Sequence, residues 1–328
     1  MTSPACPNVI NMLALLACCV VAGVAHAAEP AYPTRPVRVV VGFPPGGGTD
    51  VMARLLAPKL SASMGQTWVV DNRTGAGGNL AVETVAHANP DGHTALLALD
   101  TQVTANPQLY KLAINVEKDL QPITLLSSTD MMLIVHPSVP AKTLKEFVAL
   151  AKQKPGTLNF ASAGTGSVVH LTSELLKKRA GFDMVHVPYK GGGPAATAVI
   201  AGEAQVLLGT VASSLPYIKA GRLRALANTA GKRSKWMPDL PTVAESGYPG
   251  FDSGIWYALL VTGATPKSIA ERIRSEVLKA LQHADVQAAM DRQGLVLATS
   301  TPDELAARIK RETSTWAGII KDAHIRAQ

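Results

Sequence analysis

From Val37 onward, short runs of β-branched residues alternate with longer stretches whose apolar positions recur at helical spacing. The run at 37–41 predicts a buried strand. The Gly/Pro loop after it leads into a predicted helix over 49–63, and 67–70 predicts the next strand. A second glycine loop, a helix over 79–87 and a strand over 95–99 complete a β-α-β-α-β rhythm, which implies a parallel sheet with helices on both faces. The rhythm restarts after Pro122, with strands predicted at 132–135, 158–161, 184–187, 206–208 and 223–227. Helices are predicted between them at 143–153, 168–179 and 194–201. A strand at 255–261 and three helical stretches between 267 and 327 close the chain. Residues 37–56 and 158–176 both read as strand, glycine loop and helix. We therefore expect an α/β protein of two domains built alike, the terminal segment returning to the first. The expected division is 28–129 plus 254–328 for domain 1 and 130–253 for domain 2. A chain of 328 residues suits two such cores better than one.

The first residues follow a different pattern. An uncharged apolar stretch from Met12 to Ala25 ends in Ala25-His26-Ala27, a small-x-small cleavage pattern, so 1–27 is expected to be a signal peptide cut after Ala27. No Lys or Arg precedes the apolar run. A second-ranked alternative is lipidation of Cys18 in Leu15-Leu16-Ala17-Cys18. No later segment is apolar and long enough to span a bilayer. The three cysteines, Cys6, Cys18 and Cys19, all fall in this leader. That excludes disulfides, Cys-ligated metals and Cys nucleophiles from the processed chain. The formal charge of +7 favours anionic solutes. No basic tract is interleaved with aromatics, so no nucleic-acid partner is expected.

Candidate chemistry gathers in three glycine-rich loops, each joining a predicted strand to a helix, where an open sheet presents its crevice. The first is Gly42-Phe43-Pro44-Pro45-Gly46-Gly47-Gly48-Thr49-Asp50. Such a loop offers backbone N–H donors and the positive end of a helix to an anion, without a basic side chain. It lacks the Gly-Lys-Ser/Thr of a nucleotide loop, and its contiguous glycines do not match a dinucleotide fingerprint. The second loop is Asp71-Asn72-Arg73-Thr74-Gly75-Ala76-Gly77-Gly78-Asn79, and the third is Ser162-Ala163-Gly164-Thr165-Gly166-Ser167. Asp50 is expected to pair with Arg54 at i,i+4; Arg73 and Lys190 either counter a carboxylate or, as is commoner for loop cations, are solvated. His170 has the spacing of a core or hinge residue. Phe43, Tyr189 and Trp256 either wall the pocket or pack in the core. Gly-x-Ser-x-Gly, His-Glu-x-x-His and paired carboxylates are all missing, so no catalytic residue, metal or cofactor is expected.

The segment Tyr32-Pro33-x-Arg35-Pro36-Val37-Arg38, leading into Gly42 to Asp50, resembles the Bug-type receptors of tripartite tricarboxylate transporters. So do Asn72-Arg73-x-Gly75-Ala76-Gly77-Gly78, Ala163-Gly164-Thr165-Gly166-Ser167-x-x-His170-Leu171 and Val187-Pro188-Tyr189-Lys190-Gly191. Ile218 to Gly221, Leu240 to Gly250 and the strand of Trp256 extend the likeness over about 32–270. The resemblance implies a periplasmic-binding-protein fold of type II, with two α/β domains, a ligand cleft and two crossover strands. It implies capture of a small carboxylate, a di- or tricarboxylate or an aromatic acid, for membrane subunits of such a transporter. A periplasmic sensory receptor, or a stand-alone enzyme on the same fold, is the alternative. The implied ligand residues are Phe43, Pro45, Gly46 and Gly47; Ala76, Gly77 and Gly78; Ala163, Gly164, Thr165, Gly166 and Ser167; and Thr101, with Tyr189 and Trp256 as wall candidates. Two positions depart from the family pattern: Thr74 stands where Pro is usual, and Gly209-Thr210 where many members have an acid. The second departure argues against an amino-acid ligand.

Overall fold

The run Val37–Val41 (β1) consists almost wholly of valine, and its side chains are buried on both faces of a sheet. A computed structural model describes residues 32–327; the expected leader, with Cys6, Cys18 and Cys19, lies outside the described residues. After β1 the chain forms α1 (Gly48–Met64), β2 (Trp68–Asn72), a 3-10 turn at Ala76–Gly78, α2 (Asn79–Ala86) and β3 (Thr94–Leu99). Three short helices follow, α3 (Asp100–Thr104), α4 (Asn106–Leu109) and α5 (Val116–Asp119), and then β4 (Leu120–Thr129). The second run holds β5 (Met131–Val135), α6 (Leu144–Gln153), β6 (Asn159–Ser162), α7 (Val168–Ala180), β7 (Val185–Pro188), α8 (Gly192–Ile200), β8 (Val206–Thr210), α9 (Val211–Lys219) and β9 (Arg224–Asn228). The closing segment holds β10 (Ile255–Thr262), α10 (Lys267–Leu281), α11 (Ala284–Arg292), β11 (Val296–Leu297) and α12 (Pro302–Asp322).

These strands form two sheets, ordered β11-β4-β10-β3-β1-β2 and β7-β6-β8-β5-β9. Both are mixed, unlike the parallel sheets that the rhythm implied. β1 runs parallel to β2 and β3, but β10 is antiparallel to β3 and β4. In the second sheet β5 is antiparallel to β8 and β9. The reversed strands are those by which the chain enters or leaves a sheet without a crossover helix, so no β-α-β unit constrains their direction. The ten-residue β4 escaped the pattern because Pro122 interrupts it. That proline sits opposite Leu260, next to a register shift in the β4–β10 ladder, where a missing N–H is tolerated.

The sheets belong to separate lobes joined by two chain crossings. One passes from β4 to β5 through Asp130; the other returns from β9 to β10 through 229–254. The crossings lie side by side. The Thr229 N–H and hydroxyl both donate to the Met131 carbonyl, at 2.8 and 3.0 Å, and the Ser253 N–H donates to the Thr229 carbonyl at 2.9 Å. A core around Phe147 and Phe160 fills the second lobe, and two apolar layers sandwich the first sheet. Ala105, Leu171, Trp316, Ile319, Ile320 and Ile325 form a further cluster that spans the lobes, with α12 as its strap.

Candidate functional site

The strand-to-helix loops of both lobes face each other across a cavity of about 580 Å³. That is ample for a small metabolite. Four helices of nine or more residues begin on it: α1 at Gly48, α7 at Val168 and Val169, α8 at Gly192 and Gly193, and α9, whose N-cap is Thr210; the short α3 and α4 also start beside it, at Thr101 and Asn106. Each helix start carries amides without intrahelical acceptors and the positive end of a dipole. Leu99, Leu109, Leu207, Leu208 and Ile255 supply apolar wall. Hydroxyls come from Thr101, Tyr110, Thr165, Ser167, Thr210, Ser213 and Tyr257. No Asp, Glu, Lys, Arg or His stands among the described lining residues.

Hydrogen bonds within the loops decide which donors remain. In the first loop the Gly46 N–H donates to Asp50 Oδ2 at 2.9 Å, and the Gly47 N–H leans on the Pro44 carbonyl at 3.4 Å. Pro45, Gly46 and Gly47 are exposed and lie off the cavity, which the loop reaches through Phe43 and Gly48. In the second loop only Gly77 lines it. Ala76 faces outward, and Gly78 is buried, its carbonyl accepting from Gln102 Nε2 at 2.8 Å. The third loop contributes every residue from Ala163 to Ser167. Here Gly164 N–H donates to Ser162 Oγ, Gly166 N–H to His170 Nδ1, and Ser167 N–H to the Gly164 carbonyl, at 3.1, 3.1 and 3.2 Å. The Ser167 hydroxyl also donates to Gly164 O, at 2.7 Å. Among the described residues nothing accepts from the Thr165 amide or hydroxyl or from the Val168 and Val169 amides, and these three residues line the cavity.

Two wall candidates lie elsewhere. Side chains alternate along a strand, so Ile255 and Tyr257 face the cavity while Trp256 between them points to the opposite face. Trp256 is fully buried there, donating its indole N–H to Glu312 Oε2 at 2.9 Å beneath the Arg308 guanidinium. Tyr189 packs on the second core and does not line the cavity. Thr101 does line it, at the start of α3. Asn106, Leu109, Tyr110, Tyr257, Thr210 and Ser213 were not anticipated. For Thr210 a signal existed, since it follows a strand and opens a helix as the glycine loops do.

Nearby carboxyls are muted. Asp50 is buried, yet hydrogen bonds from Arg54, Gly46 and Asn72 outweigh that and hold it below its ordinary range, with Arg54 as the expected i,i+4 partner at 2.9 Å. Asp100, beneath Thr101, is pushed up to about 8 by burial and by Glu312, against the hydrogen bonds it accepts from the Thr101 and Trp256 amides, which favours its protonated form at neutral pH. Burial, then Asp100, raise the Tyr257 phenol, which stays a donor. Arg73 pairs with Asp71 at 2.9 Å, and Lys190 is exposed. A larger cavity of about 660 Å³ lies between α7 and the end of α12, but its Lys177 and Lys178 are paired with Glu174, Asp183 and Asp322 and no helix begins on it. Among the described residues no three His, Asp or Glu side chains group as metal ligands.

Two lobes on mixed sheets, joined by paired crossings and closing on a neutral cavity rich in helix starts, define a two-domain solute-binding protein. Residues 52–325 match the tripartite tricarboxylate transporter family receptors, and the chain belongs to that family. BugT of Bordetella pertussis is 35% identical over 87% of this chain and 88% of its own. A Rhodopseudomonas palustris protein solved with adipate superposes with a TM-score of 0.77 at 30% identity, covering 90% of this chain and 99% of that one. MatC of the same organism, solved with malate, gives 0.73 at 34% identity, covering 88% and 100%.

Proposed function

We propose that this protein captures a small carboxylate between its lobes without altering it chemically and presents it to membrane subunits of a tripartite tricarboxylate-type transporter. The observation that carries this reading is the uncharged cavity onto which four helix starts converge. One helix dipole is worth only about 0.3–1 kcal/mol to an anion, while a hydrogen bond to a charged group is worth about 1.5–3 kcal/mol. Several convergent amides and hydroxyls therefore supply most of the affinity. The leucine and isoleucine walls suit a carbon skeleton. Among the described residues none of the lining hydroxyls hydrogen-bonds a His, Lys or carboxylate side chain that could activate it as a nucleophile, which favours binding over catalysis. The complexes of relatives with malate and adipate support an organic-acid ligand.

In this reading 28–129 plus 254–328 and 130–253 move as two bodies about the paired crossings, and the ligand holds them closed. The leader directs export to the periplasm and is cleaved after Ala27. The ligand contacts are assigned to Phe43, Gly48, Gly77, Thr101, the 163–167 loop, Thr210 and Tyr257. Titration calorimetry against malate, adipate, citrate, benzoate and neutral analogues of the same size tests it. Binding of acids over their amides is expected; equal binding of both would remove the anion from the reading.

A further inference from the structure

The third glycine loop is held from behind by two histidines. β6 and β7 run parallel with Phe160 opposite His186, and α7 places His170 in its first turn. The two imidazoles stack, and the Phe160 ring packs beside both. His170 and His186 lie 3.7 Å apart at 11° between planes, and Phe160 lies 4.9 Å from His186. Both imidazoles reach the loop. His170 Nδ1 accepts the Gly166 N–H at 3.1 Å, and His186 Nε2 lies 2.6 Å from Ser162 Oγ, which accepts the Gly164 N–H at 3.1 Å. Gly166 is buried at φ +78°, so its amide has no water to turn to if the imidazole is lost.

We propose that His170 is a positioning residue for the ligand: by accepting the Gly166 amide it aims the Thr165 amide and hydroxyl at the cavity, with His186 backing its ring and bracing Ser162. This rests on the reading that the 163–167 loop holds the ligand. An accepting Nδ1 places the ring proton on Nε2, on the side of Glu174, whose Oε1 is 4.0 Å away. Burial also keeps both rings neutral. Burial, the partner ring and Lys177 depress His170 to about 3; burial and Lys177 depress His186 to about 4.

His170→Asn sets an amide oxygen close to where Nδ1 stood, whereas His170→Leu keeps bulk and removes the acceptor. Amide exchange by NMR reads the loop without any ligand. We expect Gly166 to exchange about tenfold faster or more in His170→Leu and to regain most of its protection in His170→Asn. Calorimetry with malate, adipate and benzoate should show the same order, with about tenfold weaker binding (~1.4 kcal/mol) for the leucine variant. In the wild-type protein, ring ¹⁵N spectra should show the Nε2–H tautomer. Unchanged Gly166 exchange in His170→Leu, an asparagine variant as impaired as the leucine one, or an Nδ1–H tautomer would each overturn the assignment. Should the wild-type protein bind none of the three acids, the carboxylate reading fails instead, and amide exchange and the tautomer still decide the role of His170.

Discussion

The clearest test of cleft closure lies where the lobes touch, at Gly166 and Leu109. A Cβ built on Gly166 would stand 2.6 Å from Leu109 Cδ1, where carbon atoms ordinarily rest at about 3.5–4.0 Å. Leu109 lies at the end of α4 in the first lobe and Gly166 in the second, so this clash acts only when the lobes come together. Gly166→Ala thus carries two separable costs. The left-handed backbone costs about 1–2 kcal/mol in open and closed forms alike, which lowers the melting temperature by a few degrees. Leu109 Cδ1 is the far end of a half-buried side chain beside the cavity, so turning it aside costs a further ~0.5–1.5 kcal/mol, in the closed form alone. Only the second cost reaches the ligand, and it should weaken binding about 2- to 12-fold. Calorimetry on the wild-type protein, Gly166→Ala, Leu109→Ala and the double variant forms a cycle in which removing Leu109 cancels most of the alanine's effect on affinity but none of its effect on melting. If Gly166→Ala binds as tightly as wild type, or the loss persists undiminished without Leu109, contact across the cleft is not what limits closure.

The first loop offers a contrast between neighbours. Gly47 has φ −74°, and a Cβ there would meet only the Pro44 carbonyl, at an ordinary 3.5 Å, so Gly47→Ala should change melting by no more than about 0.5 kcal/mol and leave affinity intact. At Gly48 a Cβ would come within 2.7 Å of Tyr257 Cζ and closer to its hydroxyl, so Gly48→Ala should cost about 1–3 kcal/mol and weaken binding, as melting curves with and without malate would show. Stability should fall as pH drops below about 6.5. The unfolded chain then binds protons that His170 and His186, facing each other and Lys177, with Glu174 also beside His170, refuse until about pH 3 and 4. Melting series of wild type and His186→Gln between pH 7.5 and 4 should show a shallower fall in the variant; equal slopes would contradict this. With no acid lining the cavity, glutamate should bind no better than its deaminated analogue glutarate by calorimetry; a clear preference for glutamate would place an unseen counter-charge at the site.

Much of this could be read along the chain because it is local chemistry. Glycine and proline punctuation marked the strand-to-helix loops, and runs such as Val37–Val41 marked strands, since backbone conformation there depends on a few adjacent residues. The i,i+4 pairing of Asp50 with Arg54 is equally local. Sheet direction was not, because nothing within β10 records which strands it will lie between. Nor did the glycines themselves show which amides stay free. Gly46 is engaged by a side chain in the first turn of α1, and Gly166 by one in the first turn of α7. Trp256 shows how far pattern alone reaches: its strand was readable, but whether it walls the pocket or packs in the core was decided when β10 paired between β3 and β4 and turned Ile255 and Tyr257 toward the cleft. Short-range sterics determined the loops and elements of this protein. Packing between segments more than a hundred residues apart decided which of their atoms reach a ligand, because a cavity is a property of surfaces that meet only after folding.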